Sequence, residues 1–77
     1  MHPAFMKRFA DSEPGAFRAV VAIDRGKSPD TLEFHRAASL GLADYRATSG
    51  YSLTVRGRKL ADYAGSTMKE VQHVQGP

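Results

Sequence analysis

Leu40-Gly41-Leu42-Ala43-Asp44-Tyr45-Arg46-Ala47-Thr48-Ser49-Gly50-Tyr51-Ser52-Leu53-Thr54-Val55-Arg56-Gly57-Arg58 is the stretch on which the fold turns. Gly41 stands where a helix arriving from its N-terminal side would end on a residue of positive φ, a conformation glycine adopts without steric cost. Residues 42–46 and 51–55 are two short runs joined by Ala47, Thr48, Ser49 and Gly50, and they read as a β-hairpin. In the second run Tyr51, Leu53 and Val55 share a face by period two, with Ser52 and Thr54 on the other. Thr54 then supplies a hydroxyl cap for a helix through Arg58, Leu60, Ala61 and Tyr63, expected to stop at Gly65.

Upstream, Ser28-Pro29-Asp30-Thr31 opens a helix spanning residues 29–40: hydroxyl cap, proline in the first turn, acid at the positive dipole end. At 100° per residue Phe34, Ala37, Ala38 and Gly41 form its core face, and Leu32, His35, Arg36 and Ser39 the opposite one. Arg25-Gly26-Lys27 reads as a turn. Before it, Ser12 can cap an element with Glu13 and Pro14 in its first turn and Phe17, Val20, Val21 and Asp24 at helical spacing. Residues 19–23 are rich in β-branched side chains and also suit a buried strand, so the sequence leaves helix and strand both open there. Pro3 followed by Phe5 and Phe9 at i, i+4 predicts a short first helix ending near Asp11. Phe5, Phe9, Phe17 and Phe34 are expected in the core. Near the other end Thr67-Met68-Lys69-Glu70 has capping-box spacing, followed by Val71 and Val74, and predicts a separate final helix.

The 77 residues allow one domain. Apolar residues make up 42% and charged residues 25%, so the composition is that of a chain that folds, not of a disordered or collagen-like one. There is no cysteine, hence no disulfide framework or thiolate metal site, and His2, His35 and His73 have no ligand spacing. No cofactor is expected. The uncharged stretch 37–43, interrupted by Ser39 and Gly41, falls far short of the roughly 20 apolar residues of a membrane span. The first eight residues place their charges after apolar residues, unlike a secretory signal, which points to the cytoplasm. Acids are dispersed, and no nucleophile elbow or phosphate-cradling glycine loop is present, which argues against catalysis. The net charge is +3, but Arg56, Arg58 and Lys59 lie in a stretch with no acid between Asp44 and Asp62. Such a local excess suits a polyanion as well as plain solvent.

Helix, turn, glycine-stopped helix, then a tight hairpin is the order of a winged helix-turn-helix. Residues 37–45 and 50–60, with Leu53-Thr54-Val55-Arg56-Gly57-Arg58 at their centre, resemble the winged-helix half of MarR-like and PadR-like bacterial transcription regulators, where a recognition helix ends in Gly-Leu and the wing returns through Leu-Thr-x-x-Gly-Arg. The resemblance spans about residues 32–64. In the residues' own terms Thr54 is a helix cap, and Gly57 answers close packing under the hairpin.

The expected fold is therefore mainly α with a small antiparallel hairpin: a winged helix-turn-helix domain over residues 1–65, with residues 66–77 a helical extension suited to self-association through Tyr63, Met68, Val71 and Val74. The resemblance implies a sequence-specific duplex-DNA-binding regulator with helix 29–40 in the major groove. Thr31, His35 and Arg36 would face base edges, with Arg36 able to bond guanine O6 and N7 together. Arg46, Thr48 and Ser49 would meet the backbone or minor groove, while Arg25, Lys27, Arg56, Arg58 and Lys59 would neutralise phosphates. One helix reads few base pairs, so a homodimer on two half-sites is expected. The competing reading of the same fold is a small phage- or plasmid-type protein that binds or inhibits a host protein. Under either function Arg36 and Arg46 can also be plain solvated cations pairing with Glu33 or Asp44.

Overall fold

The computed structural model describes the backbone of residues 3–75 and the side chains of residues 5–65. Helices α1 (Pro3–Ser12), α2 (Pro14–Asp24) and α3 (Thr31–Ser39) come first. Strands β1 (Ala43–Arg46) and β2 (Gly50–Leu53) follow, and α4 (Val55–Gln75) comes last. The architecture is mainly helical with one two-stranded antiparallel sheet, packed as a small single domain. Helix α2 is its centre, touching α1, α3, α4 and β2.

The choice left open at residues 19–23 falls to helix. Ala16, Ala19 and Val20 are buried and Ile23 packs against them, a spacing of i, i+3, i+4 and i+7 that presents one stripe to the core. All four side chains are small or β-branched, so neighbouring helices can approach α2 closely. The remaining interior comes from Met6, Ala37, Leu42, Ala43, Leu60, Ala61 and Ala64, with Leu42, Leu60 and Val20 the bulkiest fully buried side chains. In α1 the inward stripe is Met6 with Phe9 and Ala10 beside it. Phe5 lies one position off that stripe and is 53% exposed, not in the core; Phe9, Phe17 and Phe34 do pack against the core.

Two helix starts differ from expectation. Ser12 closes α1, donating from its hydroxyl to Phe9 O, and the N-cap of α2 is Glu13, whose side chain makes no capping bond. Helix α3 begins at Thr31 because Asp30, not Ser28, caps it: the Asp30 carboxylate accepts from Leu32 N at 3.1 Å and Glu33 N at 3.2 Å. A short carboxylate placed two residues nearer the helix satisfies two orphan amides at once. Pro29 is buried in the connecting loop. The helix ends as read: Leu40 is the C-cap and Gly41 has φ +75°. Gly41 N donates to Ala38 O and Leu42 N to Ala37 O, the paired bonds of a Schellman termination.

The hairpin is shorter than its sequence suggested. Arg46 pairs with Gly50 and Tyr45 with Tyr51, so only Ala47, Thr48 and Ser49 form the connection and Gly50 opens β2 with φ +79°. Val55 is not a strand residue sharing a face with Tyr51 and Leu53. It starts α4 and is 76% exposed, because the Thr54 cap has already turned the chain. Gly65 does not stop α4 either, and no separate final helix forms: α4 is continuous to Gln75. An interior glycine without positive φ only weakens a helix, by about 1 kcal/mol relative to alanine, and termination needs the left-handed conformation that Gly41 has and Gly65 lacks. Met68, Val71 and Val74, expected in self-association, lie outside the residues whose side chains are described.

Candidate functional site

The site is built outward from one junction. Thr54 Oγ1 donates to Gly41 O at 2.6 Å and accepts from Gly57 N at 3.1 Å, while Thr54 N donates to Leu42 O at 3.1 Å. One residue thereby ties the end of α3, the start of β1 and the first turn of α4. Gly57 is buried directly against this junction, and a Cβ placed on it would overlap the Leu42 carbonyl oxygen. Capping by Thr54 and close packing at Gly57 are thus both present. Their effect is to fix the hairpin relative to α3. Phe34 on α3 and Tyr51 on β2 add a side-chain contact between the same two elements, edge to face at 5.0 Å between ring centroids.

On this frame Thr31, His35 and Arg36 are exposed on α3, together with Leu32 and Ser39; Leu32 is 80% exposed. Arg46, Thr48 and Ser49 are exposed at the turn end of the hairpin, and Arg56, Arg58 and Lys59 in the first turns of α4. The α3 and hairpin groups belong to two elements in contact, and the α4 cations follow the junction in the chain, on a helix that also touches β2.

Ion pairing divides the cations. Arg36 Nε donates to Glu13 Oε1 at 2.7 Å and its Nη2 to Glu13 Oε2 at 2.5 Å. The hydrogen bond from Arg36 holds the Glu13 carboxyl below the usual carboxylate range, and the same bond raises the Arg36 guanidinium further. Glu33 is engaged elsewhere: Arg18 Nε and Nη2 both donate to its Oε2, which raises the Arg18 guanidinium. Arg58 Nη1 reaches Asp24 Oδ1 at 2.5 Å, placing a cation beside the acid that ends α2, where the helix dipole alone would disfavour it. Arg46, Arg56 and Lys59 have no ion pair among the described residues. The partner of Arg36 is therefore neither Glu33 nor Asp44 but a residue 23 positions away.

Two features escaped the sequence reading. Glu13 looked like part of a helix start, and no local pattern links it to Arg36. Tyr45 and Tyr51 stand directly opposite in the ladder with ring centroids 4.9 Å apart, extending the Phe34 contact into a row of three rings. A four-residue connection would have set Tyr51 against Arg46, so the row becomes visible only with the register in hand.

Among the described residues no helix is long and apolar enough to cross a membrane. Compared with known proteins, the chain matches no protein-family model, no curated protein and no solved structure.

Proposed function

We propose that the chain is a winged helix-turn-helix protein that binds duplex DNA sequence-specifically and regulates transcription in the cytoplasm. In this reading α2 and α3 are the helix pair, α3 is the recognition helix, and the hairpin is the wing. The observation that carries it is the Gly41–Thr54–Gly57 junction, which holds an exposed helix face and a hairpin in one rigid relation. A major groove accepts one α-helix, and a second element held rigidly beside it can meet the flanking backbone. Thr31, His35 and Arg36 are the base-facing side chains; Arg46, Thr48 and Ser49 belong to the wing. Arg56 and Lys59, with no ion pair among the described residues, supply phosphate neutralisation, and Arg58 contributes after leaving Asp24. Self-association through residues 66–77 would place two recognition helices on half-sites about one helical turn apart.

Fluorescence anisotropy with a labelled random duplex at two salt concentrations tests this. Binding should weaken steeply as salt rises, Lys59→Ala should weaken all sequences alike, and Arg36→Ala should lower sequence preference. No binding at low salt would discard the proposal. In that event the exposed apolar groups Leu32, Tyr45 and Val55 favour the second reading, a small interaction protein whose outer face docks on another protein.

A further inference from the structure

We propose that Glu13 is a positioning residue for Arg36, gripping one edge of the guanidinium so that its terminal Nη1/Nη2 edge is presented to a guanine; this rests on the duplex-DNA reading above. A guanidinium carries five N–H donors in a rigid planar fork. Glu13 takes the side-on edge, one hydrogen of Nε on Oε1 and one of Nη2 on Oε2. Both Nη1 hydrogens and one on Nη2 remain, and the Nη1/Nη2 edge is suited to donate in parallel to guanine O6 and N7. The ion pair and base reading are thus compatible, because they use different edges.

Glu13 itself is well placed to act as a fixed support. Its amide donates to Phe9 O at 2.8 Å and its carbonyl accepts from Phe17 N at 3.0 Å, so the residue is locked into the sharp α1–α2 corner, with Pro14 next in the chain. Its carboxylate makes no cap bond and is spent on Arg36. The other carboxylate grip nearby is different in kind: Arg18 places its Nε and Nη2 donors on a single oxygen of Glu33, a one-point contact. The two-oxygen grip at Arg36 fixes the plane of the fork as well as its place. A carboxylate there also repels phosphate, so Glu13 trades non-specific attraction for base preference, and these two effects of removing it have opposite signs.

The experiment selects duplexes from a randomised library with the full chain, then compares the best duplex with one in which the guanine lost from the Arg36→Ala selection is changed to adenine. Wild type should prefer guanine by about tenfold. Glu13→Gln should reduce that preference at least about threefold while affinity for random duplex at low salt stays level or rises, and it should do nothing further in an Arg36→Lys background. Unfolding would instead lower both affinities, and circular dichroism of each variant checks for it. Wild type binding no duplex removes the DNA reading itself. If wild type binds DNA but shows no guanine preference that depends on Arg36, or Arg36→Ala loses that preference while Glu13→Gln keeps it, DNA binding stands and the role of Glu13 is overturned.

Discussion

The junction around Thr54 and the outer face of α3 lie a few residues apart in the fold yet are held by different physics. At the junction, backbone atoms are in contact: Gly57 lies against Leu42 O, and Thr54 bonds to the backbone of Gly41, Leu42 and Gly57. On α3, the exposed Arg36 side chain is held by one half-buried carboxylate, that of Glu13. The first arrangement excludes almost any change of shape, and the second leaves the Nη1/Nη2 edge of Arg36 for a partner. A rigid joint beneath an exposed surface is what a binding face requires, since the joint sets where the side chains stand and the surface sets what they meet.

The largest effect should come from filling the joint. Gly57→Ala forces backbone apart and should lower stability by about 3 kcal/mol in urea unfolding; a variant as stable as wild type would show that the hairpin can move freely over α4. Next, Thr54→Ala removes both the α4 cap and the tie to Gly41 O and should cost about 1–2 kcal/mol, with Thr54→Ser recovering most of it. Gly41→Ala should cost a similar 1–2 kcal/mol, all of it from the positive φ, because a Cβ there meets open space. By contrast Gly65→Ala, also facing open space but in ordinary helix, should stabilise by about 0.5–1 kcal/mol, seen as a higher thermal midpoint.

The smallest effect belongs to the exposed surface. Glu13 is depressed by its bond from Arg36, so its contribution is complete above the unfolded carboxylate pKa and is lost as pH falls through the lower folded value. Glu13→Gln should therefore lower stability slightly at neutral pH and leave it unchanged below the folded value, which flattens the acid limb of stability against pH. A loss of the same size at acid and neutral pH would place Glu13 with the joint instead of the surface.

Much of the joint was legible in the sequence because its causes are local. A glycine after a helix, a threonine before one and a glycine three residues into the next turn each name a backbone requirement, and Gly41, Thr54 and Gly57 meet those requirements. The reading failed where a local signal had a close competitor. Ser28 and Asp30 both suited the start of α3, and the carboxylate reached two amides. Gly65 carried the same letter as Gly41 without its conformation. Val55 alternated correctly with Leu53, but the cap at Thr54 came first.

From the sequence come the helical content, the glycine-stopped α3, the hairpin after it and the cap that starts α4, because each depends on residues within about one turn of one another. Tertiary packing decided the rest: that residues 19–23 are helix, that Tyr45 faces Tyr51, and that Arg36 meets Glu13. Those outcomes depend on which faces are buried together and on contacts between residues far apart in the chain, and a one-residue change of register or of helix phase would have reassigned them all.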